Sequence, residues 1–420
     1  MATTHIDAAP TNELVLPGFV NAHSHAFQRA LRGRVELRSA EHPEDDFWSW
    51  RTAMYQDAAR VTPEDVEALA TWAYADMVRT GFTTVGEFHY LHNDVDGAPY
   101  SQPEMSLALA RAAHTVGIRL VLLETAYARA GFGMPLLSTQ RRFAFPSTAE
   151  FLAHVDRVRH AVRGFDEVTV GLAIHSVRAC PREWIEEVAG HAVESGVPLH
   201  VHACEQRKEL TECRLEHGLS PLALLHEAGA LTQATTIVHG THVQPDDIAL
   251  LADAGALVCL TPSTERNLGD GLAPIADLRA AGIELCIGTD SHARIDVVDE
   301  LRSLEDHERL RLERRLVLTV PGQRLHQALI PCGTANGLRS LGLREHLGPQ
   351  DDLIAVAMPL EGSVGGSSVG LDAWLVGGSG RDVQRVMVGQ RLVLHEGALV
   401  GADEAVIAQR ARAVLLKLAR

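Results

Sequence analysis

Ligand-type side chains close several of the apolar runs of this chain. His23-Ser24-His25 ends LVLPGFVNAHSH, and His200-Val201-His202-Ala203-Cys204-Glu205 ends VPLHVHACE. His239 lies in TTIVHGTHV and Asp290 in IELCIGTDSH. Residues two apart on a strand point to the same face, so the imidazoles of His23 and His25 can aim at one point. Imidazole nitrogens together with a carboxylate oxygen form a donor set that suits Zn²⁺, with water completing the coordination. Any single one of the 22 histidines reads more simply as a core or loop residue. Four ligand-bearing run ends in one chain read instead as a shared metal site.

The elements that must position these residues repeat along the chain. Eight apolar runs read as strands: LVLPGFVNAHSH, TTVGEFHY, IRLVLLETAY, VTVGLAIHS, VPLHVHACE, TTIVHGTHV, ALVCLTPSTE and IELCIGTDSH. Their near-continuous hydrophobicity is that of parallel strands buried on both faces. Amphipathic stretches lie between them. Thr62-Pro63-Glu64 opens one with an N-cap, a first-turn proline and an acidic residue, and Gly81 closes it. STAEFLAHVDRVRHAVRG, PREWIEEVAGHAVESG, QPDDIALLADAG and APIADLRAAG read as further helices, several ending at a glycine. The expected fold is α/β, a (β/α)₈ TIM barrel, in which chemistry sits at the C-terminal ends of the strands. A doubly wound open sheet would call for a glycine-rich GxGxxG turn, and none is present. After about Leu316 the pattern loosens. LIAVAMPLEGSVGG, LDAWLVGG and VQRVMVGQRLVLHEGALV read as short strands joined by glycine turns, and EAVIAQRARAVLLKLAR as a terminal helix. The division expected is 1–16 as the start of a small β domain, 17–345 as the barrel, and 346–420 as a β-rich segment plus helix.

Composition narrows the function classes. The 420 residues are 46% hydrophobic and 22% charged, ordinary for a globular enzyme. No run approaches the ~18 apolar residues of a membrane span. With a formal net charge of −16, the chain has no general electrostatic reason to bind nucleic acid or an anionic membrane. A small anionic substrate would need local arginines. The beginning, MATTHIDAAPTNEL, lacks the basic start and apolar core of a secretory signal, and the six cysteines show no CxxC pairing. A reduced, cytoplasmic location is expected.

PGFVNAHSH, HVHACE, VHGTH and GTDSH resemble the four signature segments of the amidohydrolase superfamily, in its mononuclear deaminase branch, and the resemblance covers most of the chain. It implies one divalent metal ion, zinc being the best suited, held by His23, His25, His202 and Asp290. Iron, manganese and nickel are accepted by sites of the same kind. The resemblance further implies that Glu205 shuttles protons, that Asp290 shares in receiving the proton of water, and that His239 orients the water or polarises the substrate. Two-metal relatives bridge their ions with a carboxylated lysine on strand four. VTVGLAIHS has no lysine, and the two lysines of the chain, Lys208 and Lys417, lie elsewhere. His200 reads as a supporting or packing residue, His292 faces the same region with an open role, and Cys204 reads as a small buried filler.

NAHSHAFQRALRG, FWSWRTAMY, GEFHYLH and HSVRAC resemble a narrower family within that branch, the deiminases of histidine degradation that convert N-formimino-L-glutamate and water to N-formyl-L-glutamate and ammonia. This implies that Gln28, Arg51, Tyr90, His175 and Arg178 form the substrate-binding shell, and that the protein is a homodimer. It also implies more chain before Pro17 than the sixteen residues here. The chemistry points the same way, since a dicarboxylate in a dry pocket needs cationic partners. Arg178 lies three residues past His175 at the end of strand four, and Arg51 lies in an aromatic-rich loop with Phe47, Trp48, Trp50 and Tyr55. The alternatives are an amidohydrolase acting on another acidic amidine or guanidine, a nucleobase deaminase, and a barrel protein without catalysis.

Overall fold

The structure, a computed structural model, describes residues 12–38, 47–348 and 350–420. Residues 1–11, most of the segment expected to begin the small β domain, lie outside the described residues. The opening apolar run is two strands, not one: β1 (Glu13–Pro17) and β2 (Phe19–Ser24). They part at Gly18, where the backbone passes so close to Thr83 that a β-carbon would overlap its side chain. β1 leaves the barrel for a different sheet.

Eight parallel strands follow one another in sequence order around the barrel. They are β2, β3 (Phe82–His89), β4 (Arg119–Ala126), β5 (Val168–Ser176), β6 (Leu199–Ala203), β7 (Thr235–His239), β8 (Leu257–Leu260) and β9 (Leu285–Ile287). The last strand meets the first through single contacts. The amides of Thr289 and Asp290 donate to the His23 carbonyl at 3.1 and 3.0 Å, and the His25 amide donates to the Asp290 carbonyl at 3.0 Å. Gly288 permits this approach, because a β-carbon there would stand 2.7 Å from His23 Cβ and 2.8 Å from its carbonyl oxygen. Closure of the barrel and placement of His23 are therefore one event.

Helices cover the outside. α1 is Phe47–Ala58, α2 is Pro63–Arg79, α3 is Glu104–Val116 and α4 is Thr148–Ala161. The start of α2 follows the expectation: the Asp65 amide donates to Thr62 Oγ1 while the Asp65 carboxylate accepts from the Thr62 amide, a capping box. Arg51 corrects an expectation, since its aromatic-rich segment is the helix α1 rather than a loop. The helical spacing places Arg51 and Tyr55 on one face, four residues apart.

Beside the barrel an antiparallel sheet combines both ends of the described chain. Its order is β1, β10 (Asp352–Ala357), β11 (Val383–Val388), β12 (Arg391–His395) and β13 (Ala398–Leu399). The expectation of strands throughout this region is corrected between β10 and β11. Leu360–Gly365 and Ser367–Gly377 are helices, despite four glycines that lower helix propensity. Trp374 is 1% exposed against Phe19, so tertiary burial outweighs the local preference. The terminal helix Glu404–Leu418 returns to α2, and its Leu418 carbonyl accepts from Arg34 and Arg60 at 3.0 Å each. All six cysteines are buried and unbridged. Among the described residues, no helix is long and apolar enough to cross a membrane.

Candidate metal and substrate site

His23 lies in β2 and His25 directly follows it, His202 lies in β6, and Asp290 follows β9. The coordinating nitrogens of the three histidines lie within 4.8 Å of one another. His23 Nε2 is 3.1 Å from His202 Nε2, and Asp290 Oδ1 is 3.4 Å from both His23 Nε2 and His25 Nε2. The tautomers follow from the surroundings. His25 Nδ1 is 2.8 Å from the Phe88 carbonyl oxygen and His202 Nδ1 is 2.8 Å from the His175 carbonyl oxygen. A carbonyl only accepts, so each Nδ1 carries the hydrogen and each Nε2 turns a lone pair inward. Burial first, and then the neighbouring histidines, hold His23 and His202 well below the usual imidazole pKa, so both rings are neutral. Inward lone pairs beside a carboxylate could hold a divalent cation, and the donor set fits zinc.

Left-handed backbone marks the strand ends. Cys204, His239, Asp290 and His292 all have positive φ, at 57°, 72°, 47° and 60°. Each such non-glycine residue costs about 1 kcal/mol or more and persists only where the fold enforces it. At Cys204 this turn directs Glu205 into the mouth. The Cys204 thiol itself is buried, and burial pushes it well above its ordinary pKa, so it stays protonated. Burial also raises Glu205, with Asp290 adding to the shift and His239, Arg178 and Arg51 opposing it. A carboxyl raised by burial holds a proton more readily than a free one, which suits it to both take and return one.

His239 stacks on His202 with ring centroids 5.5 Å apart. Its Nδ1 is 3.2 Å from Thr261 Oγ1 and 3.5 Å from Glu265, while Nε2 is 3.7 Å from Glu205 and 3.8 Å from Asp290. Burial acts to lower its pKa, but these three carboxylates outweigh it and raise it to about 10. The same concentration of negative charge favours a cation in the cage.

One cavity joins this cage to the expected substrate residues. His25, Gln28, Arg51, Tyr90, His175, Arg178, His202, Glu205, His239 and Asp290 all line it, with Phe47, Trp50, Met54, Tyr55 and Leu268. Gln28 Nε2 donates to the Tyr90 hydroxyl at 2.9 Å, leaving Gln28 Oε1 unpartnered. Arg51 Nε donates to the Tyr55 hydroxyl at 2.6 Å. Arg178 is 4% exposed, yet its Nε and Nη1 have no hydrogen-bond partner. Among the described residues, neither arginine forms an ion pair with a carboxylate. His175 is held well below the usual imidazole range by burial first and then by Arg178 and Arg51, so it is neutral. One buried and one half-buried guanidinium therefore face the cavity with little anionic compensation, an arrangement that is costly until an anion enters.

Other residues stand behind these. Glu87 in β3 accepts from Ser24 Oγ at 2.5 Å, the Ala26 amide at 2.6 Å and Tyr74 at 3.2 Å, bracing the turn that carries His25. Tyr127 and Gln140 extend the hydroxyl network of Tyr55. The sequence reading missed Glu87, Glu265, Tyr127 and Gln140. The acids inside the apolar GEF and the helical PSTE were the available signals. His200 points away from the cage and bonds the Ser340 carbonyl oxygen at 2.8 Å, so it packs. His292 holds Ser24 and Thr289 at 3.1 and 2.9 Å beneath Asp290, a supporting position outside the cavity lining.

The amidohydrolase family profile matches residues 14–393. A formimidoylglutamate deiminase of Pseudomonas aeruginosa is 41% identical over 93% of this chain and 86% of its own. A 5-methylthioadenosine/S-adenosylhomocysteine deaminase of Natronomonas pharaonis is 28% identical over 95% of this chain and 85% of its own. Among solved structures, an amidohydrolase from Brucella melitensis superposes with a TM-score of 0.89 at 34% identity, covering 97% of this chain and 90% of that one. An adenosine deaminase from Xanthomonas campestris with bound zinc superposes at 0.80 and 23% identity, covering 97% and 86%, a likeness of fold.

Proposed function

This chain belongs to the amidohydrolase family, a family of metal-dependent hydrolases, and we propose that it hydrolyses N-formimino-L-glutamate to N-formyl-L-glutamate and ammonia. The observation that carries the substrate is the buried guanidinium of Arg178, which lacks partners at Nε and Nη1 and shares the metal cavity with Arg51. A dicarboxylate satisfies both cations. A nucleoside leaves them without an anion. The 41% identity to the Pseudomonas deiminase supports the same reading.

His23, His25, His202 and Asp290 would hold one divalent ion, best zinc. Bound there, the ion supplies Lewis acidity and activates water as a nucleophile near neutral pH. Arg51 and Arg178 bind the two carboxylates, and Gln28 and Tyr90 close the wall beside them, so that the formimino carbon faces the cage. His175 stays neutral and adds no repulsion to its neighbouring cations. Glu205, with Asp290, takes the proton of the attacking water. Oxygen bonds to the formimino carbon, and His239 offers a hydrogen bond to the charge that develops there. Glu205 then returns that proton to the terminal nitrogen, and the second proton passes from the attacking oxygen through Asp290 to the same nitrogen. The carbon–nitrogen bond breaks as the carbon–oxygen double bond forms, ammonia leaves, and the formyl group remains on the glutamate nitrogen.

Ammonia release from a substrate panel tests this. N-formimino-L-glutamate is expected to exceed 5′-methylthioadenosine and neutral amidines in kcat/KM by a factor on the order of 10² or more, two charge-assisted contacts at about 1.5–3 kcal/mol each. Comparable turnover of the nucleoside overturns the assignment.

A further inference from the structure

A second cluster of buried imidazoles lies outside the cavity, between the barrel wall and its helices. His89 ends β3, His92 follows it, Glu124 lies in β4 and His154 in α4. Their exposures are 4%, 2%, 0% and 5%. One ligand atom each of His89, His92 and Glu124 lies within 4.8 Å of the others. Glu124 Oε2 is 3.3 Å from both His92 Nδ1 and His154 Nε2. His89 Nε2, His92 Nδ1, His154 Nε2 and Glu124 Oε2 are all buried without a hydrogen-bond partner. Three unpartnered ligand atoms within 4.8 Å of one another, with a fourth on His154 3.3 Å from the same carboxylate oxygen, are not expected of a closed polar network.

The orientation of His92 sharpens the point. Its Nε2 is 2.9 Å from the Thr125 carbonyl oxygen and must donate to it, which leaves a lone pair on Nδ1 facing the carboxylate. Ser106 Oγ donates to the other Glu124 oxygen at 2.7 Å, so the carboxylate is held with Oε2 toward the rings. Burial, first among the causes, holds His89 down to about 3 and also lowers His154, so neither ring brings a positive charge. The spacing is metrical. Donors about 2.0–2.1 Å from a tetrahedral zinc are separated by roughly 3.3–3.4 Å. That is the 3.3 Å found here, and it matches the 3.4 Å between Asp290 and its histidines in the first cage.

We propose that His89, His92 and Glu124 form a second metal site for a divalent cation of the zinc type, with His154 set against the same carboxylate oxygen. Its donors are buried and none of them lines the substrate cavity, so substrate cannot reach it and its role is structural. It ties the end of β3 to β4 and α4. Tyr90, the residue after His89, lines the substrate cavity, so the ion fixes one wall of that cavity from behind. The proposal does not depend on which substrate the enzyme takes.

Metal stoichiometry of the full chain decides it. The protein is stripped with a chelator, titrated with Zn²⁺ alone, and counted by elemental analysis. Two ions per chain are expected for the wild type, and one each for Glu124→Gln and His92→Ala. Glu124→Gln is nearly isosteric, so it remains readable if His92→Ala fails to fold. The His25→Ala/His202→Ala double variant, stripped of the first cage, is expected to retain one ion. A single ion in the wild type that this double variant abolishes overturns the second site. So does a second ion that survives Glu124→Gln. A single ion lost in Glu124→Gln but kept by the double variant would sustain this site and count instead against the catalytic cage.

Discussion

The Nε2 atoms of His23 and His202 stand 3.1 Å apart, although the Nδ1 hydrogen of His202 is committed to the His175 carbonyl. His202 therefore offers His23 a lone pair, and Asp290 approaches the same His23 nitrogen to 3.4 Å. A cation between them resolves that convergence. His175 takes part twice, since its carbonyl orients a metal-cage ring while its own ring lines the substrate cavity. Metal and substrate geometry are thus set by neighbouring atoms of one strand.

Removing the ion is expected to abolish turnover, and added Zn²⁺ to restore it. His202→Ala should abolish turnover at any zinc concentration. Ammonia release against free zinc measures both. Full activity after thorough chelation would contradict the cage.

Glu205→Gln is expected to keep its metal and lose kcat by a factor on the order of 10² or more, with KM nearly unchanged. The glutamine fills the same volume but cannot carry a proton. Steady-state kinetics beside metal analysis reads the two effects separately.

Arg178→Ala is expected to raise KM for N-formimino-L-glutamate by about 10- to 100-fold, equivalent to the loss of a charge-assisted contact of roughly 1.5–3 kcal/mol. Arg178→Lys should recover little of it, because an ammonium cannot present the paired donors of a guanidinium. An unchanged KM in the alanine variant would place the carboxylates elsewhere.

Glu87 gives a pH dependence of stability. Burial raises its pKa from 4.5 to about 7, against the opposing bonds from Ser24, Ala26 and Tyr74. Between these values the folded protein keeps a proton that the unfolded chain releases, so stability falls as pH rises through this window and levels off above it. The decline attributable to Glu87 is on the order of 3 kcal/mol. Denaturant midpoints at pH 4.5 and pH 8 are expected to converge in Glu87→Gln relative to wild type.

Gly288→Ala is expected to lower stability by about 1–3 kcal/mol and to weaken zinc binding, because the added methyl would press on the backbone and Cβ of His23. Calorimetry and zinc titration on the same preparation test whether barrel closure and metal binding fail together.

Much of the site was legible in the order of residues. A strand alternates its side chains, so the His-Ser-His pair announces two rings on one face, and the strand-end positions of His202, Glu205, His239 and Asp290 follow from the repeating strand–helix pattern. Hydrophobic period and capping residues are local properties, and they made the eight barrel runs and the capped helix α2 readable. Other features depended on partners distant in sequence. The tautomers of His25 and His202 come from carbonyls at Phe88 and His175, 63 and 27 residues away. The Ser367–Gly377 helix owes its existence to Trp374 packing on Phe19. His89, His92, Glu124 and His154 belong to no single periodic pattern, and only the folding of β3, β4 and α4 around one point brings their unpaired atoms together. Local spacing determines which face a side chain takes. What that face meets is decided by packing over the whole chain, where burial sets the cost of every unpaired polar atom.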